Sequence, residues 1–336
     1  AQVAGPSAII SWVIAGFFII IIALTFAELG TLFPIAGGIA NYPFFTHGRF
    51  LGFLLGWISW LSFVVIPPIE VQAAIQYGSN FLPFLIERKE GGTHQLTMYG
   101  YAAAALLMWV LVYINNLGVK FMSETNKFFS IWKILIPAIA IGLFFYHSKS
   151  FTSLVANSPG GFAPFGWHGI LSALALTGVV FSFNGFQVGI LMAAETKDPQ
   201  RNIPKAIIGA VLVGMILYGL LQLSFLVAIP HDALKGGWAL LKFPGDAGPL
   251  AGLSVVLGAT WVAALLYIDA VVAPLGSGLV FVASTSRLLY ALGANGFVPA
   301  VNKLNKKGIP ETSIWINFIV GMAMFLPFPG WQSMVS

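Results

Sequence analysis

The sequence predicts an all-α fold: a polytopic helical membrane protein. Three observations point there. Of the 336 residues, 58% are hydrophobic and only 8% are charged, where a soluble domain carries about 25% charged residues. The apolar residues gather into eight stretches, close to the roughly 20 residues that a membrane span requires. The basic residues fall between those stretches, in loops that alternate between dense and sparse.

In chain order the expected spans are Ser7–Phe33, Phe50–Leu82, Leu96–Ile114, Glu124–Tyr146, Gly169–Ala194, Pro204–Ile229, Leu250–Leu292 and Thr312–Pro327. The first ends at FPIAGG, where Pro34 and the Gly37-Gly38 pair mark a loop. The second is kinked at Pro67-Pro68. Pro204 opens the sixth, at the position where proline best suits a helix start. The seventh stretch is too long for one upright span. It reads either as two spans or as one tilted span with an extra outer helix.

Charge decides between these. With one span, Arg49, Lys120, Lys127, Lys197, Arg201, Lys205, Arg287, Lys303, Lys306 and Lys307 share one side, ten in all, while Arg88, Lys89, Lys149, Lys235 and Lys242 share the other. The positive-inside rule then makes the ten-charge side cytoplasmic. The net charge of +5 thus reads as topology, and no nucleic-acid partner is expected. The partner it implies is the lipid bilayer, with a multi-pass protein in the cell membrane. The chain opens on AQVAGP, without Met or the basic start of a signal peptide, and ends at Ser336 as a new apolar segment starts. We therefore expect a single transmembrane domain over 1–336, truncated at both ends, with Ala1–Pro6 the outer end of a preceding helix.

Several function classes lack their residues. There is no cysteine, hence no disulfide and no thiolate chemistry. His47, His94, His147, His168 and His231 sit in loops or at helix ends, none in an HExxH pattern. Neither a P-loop nor a TVGYG filter occurs. An enzyme, a cofactor and a metal site are not expected.

The most informative segment is FSFNGFQ, Phe181–Gln187, inside an apolar helical stretch. Gly costs about 1 kcal/mol against Ala in a helix, and Asn also ranks low. In hydrocarbon, a loosened backbone is tolerated only where it is buried in protein or lines a wet cavity. Asn184-Gly185 therefore predicts a broken span and a candidate binding site. Phe181, Phe183 and Phe186 flank it, and an aromatic ring there can act as a lid.

Lys133 stands nine residues past Glu124, about 14 Å along its helix and near the middle of a roughly 30 Å core. An ionisable group at that depth normally faces a cavity or a partner, and a desolvated ammonium gives up its proton more readily than one in water. Snorkelling to the interface is the alternative. Asp269, eighteen residues before Arg287, also lies deep, unless an outer helix carries it. Pro274, Gly276 and Gly278 beside it are expected to loosen the helix. Glu70 follows the double proline. Glu28, six residues before Pro34, reads as a residue of the helix end.

Four runs, AELGTLFPIAGGIANY, NNLGVKFMSETNKFFSIWK, FSFNGFQVGILMAAETKDPQRNIPKAI and STSRLLYALGANGFVPAVNKLNKKGIP, resemble in that order segments of the amino acid–polyamine–organocation transporter superfamily. The resemblance implies a five-plus-five inverted-repeat transporter fold whose first and sixth helices are broken, with the visible spans as helices two to nine. It implies a substrate site at the sixth-helix break, formed by Phe181, Ser182, Phe183, Asn184, Gly185 and Gln187, with Phe181 as an aromatic gate. The substrate carboxylate would meet half-helix amides at positive dipole ends. The first-helix half of the site would precede Ala1. Lys133 matches a fifth-helix lysine that replaces a sodium ion in proton-coupled members. Gln187 stands where some members carry a titratable Glu, so coupling is expected from Lys133 or Asp269. The expected function is proton-coupled transport of an amino acid, with a neutral one suggested by the phenylalanines and Gln187. Exchange of an amino acid or amine without ion coupling, and a non-transporting sensor on the same fold, are the alternatives.

Overall fold

The computed structural model describes residues 1–88, 94–148, 158–243 and 248–326. Lys89 and Lys149 of the charge count, and Pro327 of the last expected span, lie outside them. Among the described residues, six helices are long and apolar enough to cross a membrane. A seventh span forms if Gly166–Leu176 and Phe181–Leu191, bent by 44°, count as one.

Helix α1 covers Ala8–Leu32. Its exposed side chains include Phe17, Phe18, Ile21 and Leu24, as a helix facing hydrocarbon demands. Gly37, at φ 69°, turns the chain into α2, Gly38–Val64. That helix is interrupted at Gly48 (φ 80°, ψ −173°), so the expected start at Phe50 falls just past a real break. Helix α3, Ile66–Gly78, restarts after Val65. Pro67 and Pro68 have no N–H for the carbonyls one turn back. The Thr285 hydroxyl donates to one of those, Phe63 O, at 3.4 Å.

Between spans the chain forms a hairpin: β1, Ile86–Arg88, pairs antiparallel with β2, His94–Leu96, Ile86 opposite Leu96, so the expected span start at Leu96 falls in a strand. Thr97 caps α4, Met98–Leu117, its hydroxyl accepting from Gly100 N. Helix α5 runs Val119–His147, and α6 runs Gly166–Leu176.

Two expectations are corrected. Helix α8 spans Pro199–Ala228 with Pro204 inside it; Pro199 takes the starting position, because its fixed φ already suits a helix. Arg287 is not a loop charge. Helix α10 runs Thr260–Ala294, and Arg287 is only 3% exposed on it. The long seventh stretch resolves into a short α9, Pro249–Val256, and this one long helix. It stays helical through Pro274, Gly276 and Gly278. Helix α11 covers Glu311–Met324.

By contacts the chain forms two compact units. One comprises Ala1–Ala27, Lys133–Gln187 and Pro204–Tyr267; the other comprises Glu28–Trp132, Val188–Ile203 and Ile268–Ser336. In the first, α1 and α8 approach so closely that a Cβ on Gly16 would stand 2.4 Å from Met215 Sδ, and Ser11 Oγ donates to Ile170 O on α6 at 3.0 Å. In the second, Val71, Met108, Leu111, Leu279 and Ile314 form one core. Polar ties cross it: Trp60 Nε1 donates to Asn317 Oδ1 at 2.9 Å, and Asn115 Nδ2 to Leu279 O at 3.1 Å.

Gly37 is a tight corner of this second unit. A Cβ there would lie 2.5 Å from the Ala291 Cβ and 2.7 Å from Arg287 O. Adding one to a left-handed residue in such a gap is expected to cost at least about 2 kcal/mol. Gly37→Ala should therefore lower the thermal unfolding midpoint of the purified protein, and an unchanged midpoint would contradict this packing.

Candidate functional site

The break is wider than the Asn-Gly pair. Helix α6 ends at Leu176, and Gly178, at φ 77°, takes the chain out of the helix. A 3-10 turn follows over Phe181–Phe183. Asn184 is extended (ψ 143°), and Gly185 has φ 113°, a conformation that side chains with a Cβ rarely adopt. Helix α7 then covers only Val188–Leu191.

Polar side chains occupy much of the opened backbone. Thr177 Oγ1 donates to Ala173 O at 2.7 Å, and Ser182 Oγ donates to Gly178 O at 2.8 Å. The Gln187 side chain folds back over the turn: its Oε1 accepts from Gly185 N at 3.0 Å, and its Nε2 donates to Asn184 Oδ1. From α8, the Tyr218 hydroxyl donates to Ser182 O at 3.2 Å.

These elements enclose a hollow of about 210 Å³, lined by Ser182, Phe183, Asn184, Gly185 and Phe186 and by Ala210, Val211, Gly214 and Tyr218 of α8. Two of its lining rings join a triad with Trp12: Phe183 meets Trp12 at 6.0 Å and Tyr218 at 5.6 Å between ring centres, and Trp12 meets Tyr218 at 5.1 Å. Phe186 packs edge-on against Phe26. Trp12 Nε1 is held by Gln222 Oε1 at 3.4 Å.

Of the residues expected at the site, Ser182, Phe183, Asn184 and Gly185 are brought together on this hollow. Gln187 braces it from behind. Phe181 is 55% exposed and lines a separate open groove with Leu174, Ala175, Gly178 and Val180. Lys133 is the fifteenth of the 29 residues of α5, its midpoint, because the helix starts at Val119 rather than near Glu124. At that position it is half-buried. Asp269 is the tenth residue of the 35 in α10, also half-buried, so the long helix and not α9 carries it. Lys133 belongs to the first compact unit and Asp269 to the second. Tyr218 and Trp12 were missed by sequence reasoning. Their only signal there is aromatic character, shared by 14% of the chain.

Apolar helices long enough to cross a membrane, one of them opened around a hollow at a helix break, define a multi-pass integral membrane protein. Comparison with known proteins narrows this. The profile of the family described as amino acid permease matches residues 1–334, and the chain belongs to that family. It is 38% identical over 341 residues to the glutamate/serine transporter AimA of Bacillus subtilis (strain 168), covering 98% of this chain and 61% of that protein. It is 35% identical over 338 residues to the aspartate-proton symporter of the same organism, covering 100% of this chain and 64% of the relative. The aromatic amino acid transport protein AroP of Escherichia coli (strain K12) is 28% identical over 326 residues, covering 95% and 66%. The chain thus spans less than two thirds of the length of these relatives.

Tyr218→Phe removes one hydrogen bond and keeps the ring. It should destabilise the protein by about 1 kcal/mol and speed amide exchange across Ser182–Phe186. Exchange at the wild-type rate would show that the hydroxyl does not hold the break.

Proposed function

We propose that this chain is the greater part of a secondary active transporter that carries an amino acid across the cell membrane by alternating access, in symport with protons. The observation that carries this reading is the hollow built on the Ser182–Gly185 backbone. It combines loosened main chain, an aromatic wall and a position inside an otherwise apolar span. Transporters place substrates at such breaks, where freed main-chain groups and half-helix dipoles meet charged substrate groups. Membership in the amino acid permease family supports an amino acid as the substrate, and the name of the aspartate-proton symporter supports proton coupling.

The proposed roles follow from the chemistry of each group. The backbone of Ser182–Gly185 binds the substrate, Phe183 and Phe181 supply aromatic cover on their two sides of the break, and Gln187 shapes the turn. Lys133 serves as the principal coupling group, with Asp269 as the second. On this reading α1, α2–α3, α4, α5, α6–α7, α8, α10 and α11 stand as the second to ninth helices of a five-plus-five inverted repeat. The substrate class is a small amino acid whose carboxylate and ammonium groups meet main-chain N–H and C=O groups.

Uptake of radiolabelled amino acids by the full-length protein in proteoliposomes tests the reading. Accumulation should follow an inwardly directed proton gradient, and its absence with intact exchange would sink proton coupling. Lys133→Ala should reduce gradient-driven accumulation to the level of empty liposomes while the protein still purifies as a folded species. Uptake with the wild-type pH profile would remove Lys133 from the coupling step. Replacing Asn184 and Gly185 together by Leu should abolish substrate binding, and retained affinity would refute the break as the site.

A further inference from the structure

The second half of the broken span is too short to hold itself. Helix α7 has four residues, and only the 3-10 turn Ala193–Glu195 follows it. Isolated helices of that length have no stability in their own right. The second compact unit supplies two fastenings. Leu191 O accepts from Gly37 N at 3.0 Å, and Ile190 and Leu191 are fully buried. Four residues further on, Glu195 takes a fork of two bonds from Arg287: Nε to Oε1 at 2.7 Å and Nη2 to Oε2 at 3.0 Å.

The Arg287 side is rigid. Its Nη1 donates to Ala283 O at 2.9 Å and to Ser286 Oγ at 3.4 Å. The Arg287 side chain is 4% exposed and that of Glu195 is 26% exposed. A guanidinium cannot shed its charge in a protein. A buried arginine deprived of its carboxylate is an uncompensated charge, so the geometry strongly favours the closed pair. The bidentate form fixes orientation as well as distance. The other face of the junction has no slack, since a Cβ on Gly37 would strike Arg287 O.

We infer that Arg287, acting through Glu195, is a positioning residue for the substrate site. The pair latches the second half of the broken span to α10 and thereby sets how much of the time the chain that leaves the Ser182–Gln187 break is held at its far end. The inference rests on the transport reading, in which the break is the site. Without the latch, substrate must order α7 as it binds, and the apparent affinity falls in proportion to the fraction of molecules already competent.

The chain contains no cysteine, so Ala193→Cys places a single reporter at a position only 1% exposed. It is read in the full-length protein, in a background without other cysteines. A membrane-impermeant maleimide is applied from the side bearing Lys197 and Arg201. If wild-type α7 is in place at least about nine-tenths of the time and Glu195→Gln leaves it in place about a tenth of the time, labelling should rise about ninefold or more and the KM for uptake about tenfold, with turnover within about twofold. Glu195→Asp, which keeps the carboxylate, should recover most of both. Arg287→Lys keeps the charge but loses the fork. It should move both readouts in the same direction, and it decides the matter if Glu195→Gln does not purify as a monodisperse species. Labelling and KM both at wild-type values would overturn the latch, and so would labelling that rises while KM stays fixed. A wild-type protein that takes up no amino acid would overturn the transport reading alone, because the labelling comparison still reports on the latch.

Discussion

The constraint on which this structure depends is that a main-chain N–H or C=O in hydrocarbon must find a partner inside the protein. A continuous helix meets it automatically. Opening α6–α7 between Thr177 and Gln187 does not, and the protein answers with side chains. Thr177 and Ser182 return bonds to carbonyls one turn back, Gln187 satisfies Gly185 N, and Tyr218 reaches across from α8 to Ser182 O. Each net bond contributes only about 1 kcal/mol, but leaving such a group unmet costs about 1–3 kcal/mol. The polar residues of this span are therefore first a condition for having a break at all. The hollow is what remains once that condition is met.

This ordering explains what was legible in the sequence. Asn184-Gly185 stood out because both residues disfavour helix and sit in an apolar run. The true end of α6 at Leu176 did not stand out. The residues around it, ALALTGVV, are apolar and without proline, and the single glycine at 178 looks no different from the many that stay helical here. Gly276 and Gly278 beside Pro274 were expected to loosen their helix, yet α10 runs through them unbroken. There, close packing overrides propensity: a Cβ on Gly276 would lie 2.6 Å from Phe129 Cβ, and one on Gly278 would lie 3.0 Å from Leu111 Cδ1. These glycines serve contact between helices, not flexibility. A sequence cannot separate the two uses without knowing what lies opposite.

Tyr218 and Arg287 were illegible for a different reason. Each acts through a partner remote in sequence, Ser182 in one case and Glu195 in the other, 36 and 92 residues away. Read alone, Arg287 belonged with the basic residues that fix topology. Its burial reverses that reading, because a charge so enclosed is anchored to one place in the fold. Lys133, by contrast, was legible in position: it falls near the middle of its helix whether that helix is drawn from Glu124 or from Val119. The structure moved the start of α5 by five residues and still left Lys133 at the centre.

The same bookkeeping narrows where coupling charge can reside. Gln187 cannot titrate, and its amide is engaged by Asn184 and Gly185, so it is committed to the shape of the break. The Arg287 charge is matched by Glu195. Glu28 is exposed one turn from the end of α1. Among the described residues, the carboxylate and ammonium groups left well inside the spans are Glu70, Lys133 and Asp269. Glu70 follows the double proline of α3 and packs near Gly278 of α10, within the second compact unit. Of the three, Lys133 alone belongs to the unit that contains the hollow. A group that is to exchange a proton in step with substrate binding must share a unit with the site, or be moved by it. The lysine meets the simpler of these two conditions, and it is therefore the residue on which the proposed proton coupling is best argued.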